Sequence, residues 1–584
     1  MKFDSRLDNN MTSPSDGATV RTPPSLLSTL LRGLHVSPRS NADISERRKR
    51  VLRARLKLFR SVTRRRDPSA ARRPDLELEQ LDGTQIAAQS CQKHAASVNN
   101  LPVELLSMIF QFWVSDDRSP SSYSSLKCAV AHVCKQWRHV ALDTPSLWNL
   151  VDLGRPLLAQ KLLDHCRHPI HLVWKGATEL SGDMETLLSH LRQCPERIQA
   201  ITLDGSPELL DAVVKSAFAN LPSTRTLSIV SDDKAHDHDL VSIRGLETPA
   251  LECLEIEGFV VPWTCPMYCS SNLRTLCIWR NHDSPTSLTL VLDCFEHLQS
   301  LEVLRWSNAL PEDSLGSPPG ENRIIHMPSL LVVELSGTCS GCTALLSHIS
   351  REYGNYNLSI ECSDVSVDLY PSLWTTAEPH WLCEGRRLAG ICIETTSYSL
   401  DLRFCRERPS DSSSEDYFCS FRLPVEGGKL PEIMRALGPC IAALQSPVFT
   451  FQNVSQPLDG VEWKEVIMKC SHTQKLHITG TDAAESLVQM LLRREPSSVL
   501  MPNLRSLSFQ EVDFECVRRM GMGFQDMLDR FLHVAINQPP LKQLRLISCS
   551  NILDTESASV KMMVPEVSMA EGRVRLMGSG MAQA

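Results

Sequence analysis

Cysteine and histidine are the side chains in this sequence that could support the most specific chemistry. One C-x-x-C pair is present, Cys339 with Cys342, but no second close pair stands at zinc spacing, and a structural zinc usually has four ligands. The loose candidates are Cys265, Cys269, His165, Cys166 and His168. The sequence contains no Walker A run, no G-x-S-x-G and no H-E-x-x-H. It therefore predicts no catalytic, metal or cofactor site.

The composition is that of an ordinary globular chain. Of 584 residues, 42% are hydrophobic, 22% charged and 6% aromatic, which allows three or four domains or one long repeat array. No uninterrupted apolar stretch approaches the ~20 residues of a membrane helix, and the first residues lack the apolar core of a secretion signal. We expect an intracellular protein of the cytoplasm, the nucleus or both, without membrane contact.

Charge is concentrated near the N-terminus. Residues 47–73 contain 13 Lys and Arg and a single acid, a net charge of +12, so the rest of a chain of net charge −8 carries −20. We expect residues 1–97 to be disordered, with a basic arm at 47–73. The arm could be a nuclear import signal, a contact for nucleic acid or anionic lipid, or simply a solvated segment. The import candidates are Arg47, Arg48, Lys49, Arg50, Arg64, Arg65 and Arg66.

The segment after residue 97 predicts a helix with more apolar surface than an ordinary surface helix has. In NNLPVELLSMIFQFWVSDD, Pro102 suits the first helical position, and the polar residues Glu104, Ser107 and Gln111 form one narrow stripe. Every other residue from Val103 to Val114 is apolar. An ordinary surface helix has the reverse pattern, so this one must be covered on two sides.

A second helix and a turn complete this region. In LKCAVAHVCKQWRHVALD, a core face is predicted from three- and four-residue spacing. Its members are Leu126, Val130, Val133, Trp137 and Ala141. The stretch DTPSLWNLVDL then turns at Pro145 and presents Leu147 and Trp148 to the helices.

Residues 98–153 resemble an F-box, specifically the F-box-like variety common in fungi. The matching stretches are LPVELLSMIF (101–110), HVCKQWRHVAL (132–142) and TPSLWNLV (144–151). The resemblance implies docking on the Skp adaptor of a cullin–RING (SCF) ubiquitin ligase. It also implies a set of adaptor-binding or core residues, not yet divided between the two roles: Leu101, Pro102, Leu105, Leu106, Ile109, Phe110, Val133, Cys134, Trp137, Pro145, Leu147 and Trp148.

A short pattern with apolar residues at positions one, four and six recurs after residue 154. Examples are IQAITL (198–203), LECLEI (251–256), LRTLCI (273–278), LEVLRW (301–306), LRSLSF (504–509) and LKQLRL (541–546), with the variants TRTLSI (224–229) and LLVVEL (330–335). Sixth positions in the first block lie 22 to 29 residues apart, close to a leucine-rich-repeat period, and helix-like segments lie between them.

This pattern predicts an irregular α/β solenoid, similar to leucine-rich repeats, with a curved parallel sheet over residues 154–560. Residues 340–475 blur the pattern, a loop is inserted near 406–418, and residues 561–584 form a flexible tail. Residues flanking the sixth positions would point to the outer face of the sheet, where a protein substrate could bind. They include Glu255, Glu257, Cys277, Trp279, Arg305, Ser307 and Arg545.

Three functions remain open. The first is a non-enzymatic SCF substrate receptor that presents an unidentified protein for ubiquitination. The second is an F-box and repeat scaffold that is not coupled to degradation. The third is a nuclear protein associated with nucleic acid through the basic arm, which we expect to be the weaker hypothesis.

Overall fold

The structure is a computed structural model of the 584-residue chain. It describes residues 101–115, 130–165, 168–176, 182–218, 220–233, 235–280, 286–308, 310–312, 323–351, 357–382, 388–396, 398–405, 417–426, 429–452, 466, 470–492, 501–532, 541–570 and 575–577. The predicted disordered N-terminus and basic arm lie outside these residues.

Helices recur along the described chain. They are α1 Val103–Ser115, α2 Lys135–Leu142, α3 Pro156–His165, α4 Gly182–Leu191, α5 Pro207–Ala217, α6 Leu288–Phe295, α7 Cys339–Ser347, α8 Tyr370–Trp381, α9 Leu430–Ala443, α10 Thr481–Leu492, α11 Phe514–Arg519, α12 Phe524–Leu532 and α13 Asp554–Met563. None of these described helices is both long and apolar enough to cross a lipid bilayer.

One sheet of 17 described strands extends from residue 150 to residue 570. The strands are β1 Leu150–Asp152, β2 Ile170–Lys175, β3 Ile198–Gly205, β4 Thr226–Ser231, β5 Cys253–Glu257, β6 Thr275–Trp279, β7 Val303–Ser307, β8 Val332–Gly337, β9 Asn357–Cys362, β10 Gly390–Thr395, β11 Ser399–Cys405, β12 Tyr417–Pro424, β13 Val448–Gln452, β14 Lys475–Thr479, β15 Ser506–Gln510, β16 Gln543–Ile547 and β17 Glu566–Ala570. Neighbouring strands pair in parallel from β1 to β9 and again from β13 to β17.

The repeated apolar positions explain this arrangement. In each repeat the residues at positions four and six point to the helical side of the sheet, and examples such as Leu254 and Ile256 are buried. Successive sixth positions are opposite one another in the ladder, for example Leu203 with Ile229 and Ile229 with Ile256. The predicted architecture, a helical region followed by an α/β solenoid with a mostly parallel sheet, is therefore confirmed.

Helix α5 shows how a connecting helix is specified. Pro207 occupies its first turn, and Leu210, Val213, Val214 and Ala217 are buried at three- and four-residue spacing. These side chains belong to the same continuous core as the sixth-position residues of the strands. The helices therefore cover one face of the sheet, and the other face has no helix over it among the described elements.

The blurred region contains a hairpin wedged into the sheet. Strand β12 pairs in parallel with β9, β11 pairs antiparallel with both β12 and β10, and β10 pairs in parallel with β13. The order across the sheet is thus β9–β12–β11–β10–β13, which the repeat pattern did not predict. Residues 406–416 of the predicted loop, between β11 and β12, lie outside the described part, and Tyr417 and Phe418 belong to β12.

Aromatic side chains cover this wedge on its helical face. Trp374 and Trp381 of α8 stack on Phe421 and Phe404, with ring centroids 5.4 and 4.9 Å apart. A single helix must span the width of several strands here, and large flat side chains bury more area per residue than the leucines of the regular repeats.

The C-terminal boundary is a correction to the sequence prediction. The solenoid was expected to end at residue 560, with a flexible tail beyond it. Instead α13 continues to Met563, and β17 pairs with β16 through residue 570. Val567 and Met569 pack against the core, although the strand is short and its apolar residues match no complete repeat.

Candidate protein-interaction surfaces

A small core separate from that of the solenoid holds residues 101–115 and 130–148 together. Leu106 and Phe110 of α1 pack with Val140 and Ala141 of α2 and with Leu147 of a 3-10 turn at Pro145–Leu147. The rings of Phe110 and Trp137 lie with centroids 5.0 Å apart. The side chains that define the inner side of the region are all buried: Leu106, Phe110, Val140, Ala141 and Leu147.

Hydrogen bonds fix the turn against the two helices. The hydroxyl of Thr144 donates to the carbonyl oxygen of Val140 at 2.6 Å and lies 3.0 Å from the hydroxyl of Ser107. The indole N–H of Trp148 donates to the carbonyl oxygen of Ala141 at 2.7 Å. The hydroxyl of Thr144 and the indole of Trp148 are thus satisfied, and their hydrogen bonds hold α1, α2 and the turn in one arrangement.

The outer side of α1 carries an unusual apolar stripe. Leu105, Met108, Ile109 and Phe112 follow one another at three- and four-residue spacing and are 40%, 62%, 46% and 61% exposed. We call these four residues the α1 stripe. Soluble monomers rarely leave such a contiguous set in water, which indicates a surface that another molecule covers.

The structure separates the candidate residues that sequence could not divide. Leu106, Phe110 and Leu147 are buried; Leu101, Cys134, Trp137, Pro145 and Trp148 are half-buried; Pro102, Leu105, Ile109 and Val133 are exposed. The first group holds the region together, and the last group is free for contact with a partner.

Met108 and Phe112 are the contact candidates that the sequence prediction omitted. They extend Leu105 and Ile109 along the same line of α1 and are the two most exposed members of the stripe. The signal was present, because positions i, i+3, i+4 and i+7 of a helix share a face. The sequence alone does not show that Leu106 and Phe110 are buried. Their burial in the structure identifies the inner side of the helix.

The second helix differs from its prediction. The helical turn that ends near Ala131 is interrupted, and α2 begins only at Lys135. Cys134 is extended and caps α2, its sulfur accepting from the backbone N–H of Trp137 at 3.4 Å. The sequence analysis placed Val133 in the core with Val130 and Ala141. Because of this break, Val133 is instead 41% exposed.

The helix-free face of the solenoid sheet is the second candidate surface. Of the residues predicted to point outward, Glu255, Glu257, Trp279, Arg305, Ser307 and Arg545 are half-buried there. Cys277 is the exception: it is 4% exposed, and burial raises the pKa of its thiol to about 12. It is therefore a protonated packing group near neutral pH.

Charged side chains on the wedge form a network on this face. Arg403 lies 2.8 Å from Glu394, and Arg422 donates to both carboxylate oxygens of Asp401 at 3.1 and 3.2 Å. Hydrogen bonding to Asp401 raises the pKa of Arg422. The side chain of Asp401 is only 8% exposed, so this carboxylate depends on its two arginines.

The C-x-x-C pair, Cys339 and Cys342, is buried. Cys339 and Cys342 lie in α7, and a hydrogen bond with Cys362, together with burial, raises the pKa of Cys339. Protonated buried thiols behave as small apolar groups. Within the described ranges, no three His, Cys, Asp or Glu side chains are grouped so that they could hold a metal ion. Cys166 and the side chain of His165 are outside those ranges, as are all seven import candidates.

Comparison with known proteins identifies the N-terminal region. The F-box-like family matches residues 98–153, which is the region built on α1, α2 and the turn. No curated protein matches the chain. A solved structure, the crystal structure of a TLR13–ssRNA13 complex, is similar at 11% identity and a TM-score of 0.26, over 70% of this chain. The chain spans 46% of the length of that protein, so the match adds nothing to the topology described above.

Proposed function

We propose that this chain is an F-box substrate receptor, which docks on the Skp adaptor of an SCF ubiquitin ligase and holds a protein on its solenoid for ubiquitination. The α1 stripe carries the proposal. Residues 98–153 match the F-box-like family, members of which generally bind Skp-type adaptors, and the stripe is the apolar surface that such docking would cover.

Energetics support docking through the stripe. Complete burial of a Leu, Ile, Met or Phe side chain contributes about 1.5–3 kcal/mol, and the four stripe residues are between 40% and 62% exposed. Covering them would contribute several kcal/mol before the cost of association. Because the core residues Leu106 and Phe110 point the other way, the adaptor could bind without disturbing the fold of the region.

The proposed mechanism is one of proximity. The F-box region would anchor the chain to the ligase, and the solenoid would keep the substrate near the conjugating enzyme, which raises the effective concentration of its lysines. The bond-forming chemistry would belong to the partners, so this chain needs no cofactor. The role belongs to the cytoplasm or nucleus, and an import signal at residues 47–73 would be compatible with it.

Co-purification tests the docking. We expect Leu105→Asp with Ile109→Asp to reduce recovery of the Skp adaptor at least about tenfold, because both side chains are exposed and charges would replace the apolar contact. The matched control is Leu157→Asp with Leu158→Asp on α3, two exposed leucines outside the stripe. The control should recover the adaptor normally.

Two outcomes would contradict the proposal. Equal recovery by the stripe variant and the wild type would show that the adaptor does not use α1. If the wild type binds the adaptor but deletion of residues 98–148, which leaves β1 in place, changes no substrate level, the scaffold function is favoured instead. Circular dichroism on both variants checks that the fold is retained.

A further inference from the structure

Cationic side chains follow three adjacent strands near the C-terminal end of the sheet. Lys475 begins β14, Arg505 lies one residue before β15, and Lys542 one residue before β16. Arg505 donates its backbone N–H to the carbonyl oxygen of Gln474, and Lys542 donates to that of Arg505, both at 2.8 Å, so Arg505 and Lys542 are neighbours across the strands. Lys475 lies one residue further along its own strand, opposite Ser506. With strands about 4.8 Å apart and a rise of about 3.3 Å per residue, the backbone positions of the three cations lie within about 10 Å of one another, near the same border of the sheet. We call Lys475, Arg505 and Lys542 the cationic row.

Among the described residues, the cationic row has no acidic partner. No described carboxylate lies within 4.0 Å of these three side chains, of which Arg505 and Lys542 are exposed and Lys475 is half-buried. The strands β13 to β16 contain no Asp or Glu at all. Their outward residues are instead neutral or basic, including Ser508 between His477 and Arg545 in the ladder.

The same edge of the sheet is neutralised in the N-terminal half. There the positions that correspond to Arg505 and Lys542 alternate in sign, and Arg225 lies 3.4 Å from Glu252, while Arg274 lies 2.7 Å from Glu302. The N-terminal repeats therefore satisfy their own charges across neighbouring strands. The cationic row has no such ion pair within the described part of the chain, whose charge outside residues 47–73 is −20 over the full sequence.

We propose that the cationic row binds an extended acidic segment of the protein that this receptor captures, with Asp or Glu at alternate positions. This inference rests on the proposed function and adds the chemistry of the substrate. Alternate side chains of an extended segment lie on one side about 6.8 Å apart. Two or three carboxylates can therefore reach the row when the segment crosses the strands. The long Lys and Arg side chains can compensate for the difference between the ~6.8 Å spacing of the peptide carboxylates and the ~4.8 Å spacing of the strands.

Binding of a defined peptide to the full-length chain tests this inference. The probe is a fluorescein-labelled peptide of alternating Glu and Ser, measured by fluorescence anisotropy at low and at physiological salt. We expect Lys475→Glu, Arg505→Glu and Lys542→Glu together to weaken its binding at least about tenfold, since three attractions become repulsions. Binding to the wild type should weaken as salt increases.

A matched control makes the same change of charge on the helical side of the solenoid. Lys215, Arg435 and Lys561 are exposed on α5, α9 and α13, and their triple replacement by Glu should change peptide affinity by less than about twofold. A peptide of alternating Lys and Ser should not bind. Weak binding of the acidic peptide to wild type, or equal losses in the two triple variants, would overturn the inference.

Two further readings separate the alternatives. If a single-stranded oligonucleotide of the same length binds the row more tightly than the acidic peptide, the surface is one for nucleic acid and the inference is wrong. Adaptor recovery is measured on the same preparations, and the row variant should retain it. If the wild type binds the acidic peptide but does not bind the adaptor, the ligase proposal is contradicted and the inference about the cationic row is not.

Discussion

His380 is a half-buried titratable side chain of the solenoid. It lies near the end of α8, and its Nε2 is 3.0 Å from the carbonyl oxygen of Leu346, so Nε2–H donates in the neutral form. Burial lowers the pKa of His380, and this hydrogen bond only partly opposes the effect. A pKa lowered by folding means that stability is complete above the unfolded value of about 6.5 and is lost as pH falls below it.

We therefore predict that His380→Gln reduces the acid sensitivity of the solenoid. Between about pH 7.5 and about pH 5.5, the thermal unfolding midpoint of the wild type should fall further than that of the variant, because glutamine can donate the same bond without becoming charged. The other histidines are the same in both proteins, so their contributions to the fall in the unfolding midpoint cancel when the two falls are compared. Equal falls in the two proteins would show that His380 is not kept neutral by the fold.

The F-box-like region shows how far single residues can be assigned from sequence. The twelve candidate residues were chosen by resemblance, and spacing alone indicated that α1 needed cover on two sides. Spacing could not decide that Ile109 is exposed while its neighbour Phe110 is buried against Trp137. That choice depends on contacts between α1 and α2, which are distant in sequence. The break before Cys134 was missed for a similar reason, since a half-buried cysteine cap has no strong sequence signal.

At the scale of elements, the repeat pattern predicted the register of the parallel strands but not the wedge. The sixth-position residues are aligned across the ladder as expected. The stretches around Ile391 and Leu402 also alternate, but alternation is the same in parallel and antiparallel strands. Nothing local shows that β12, rather than β10, pairs with β9. Strand order is a property of long-range packing, here of α8 and its tryptophans against β11 and β12.

The wedge should depend on the pairing of Asp401 with Arg422. We predict that Asp401→Asn destabilises β11 and β12 by about 2 kcal/mol, less than the ~3–5 kcal/mol of a fully buried pair, because Arg422 is half exposed. Hydrogen exchange of these two strands, followed by mass spectrometry, measures the local effect.

A control at the other partner of Arg422 sharpens this prediction. Glu361 lies 3.6 Å from Arg422 and is 52% exposed, so Glu361→Gln should cost less than about 0.5 kcal/mol. Combining Asp401→Asn with Arg422→Met should cost less than the sum of the single changes. Additive losses, or equal losses from the two carboxylate variants, would contradict a specific role for Asp401.

At the scale of the whole molecule, one apolar core runs from Val151 to Val564, and β17 covers the last strand of the sheet. Repeat arrays need a terminal element that closes their exposed end. The backbone of β16 pairs on one side with β15 and on the other with β17. Without β17 it would offer a free edge to other chains.

We accordingly predict that ending the chain after residue 560 lowers the thermal unfolding midpoint by several degrees and causes concentration-dependent aggregation. Ending it after Met577 should leave both properties unchanged, because β17 and the pairing of Arg575–Met577 with Ser550–Leu553 are kept. Light scattering and calorimetry on the two truncated proteins measure the effect. Equal behaviour would mean that the array closes at α13.

The inserted hairpin has a consequence for how this array can change length. Strands β10 and β12 run in the same direction and end at the same border of the sheet, and β9 and β13 are parallel to both. Excising β11 and β12 would leave β9 beside β10 with compatible polarity, and β10 would lead into α9 like any other repeat. A shorter solenoid with parallel pairing throughout is thus compatible with this chain. The hairpin acts as a removable spacer that sets the distance between the repeats up to β9 and the repeats from β13 onward.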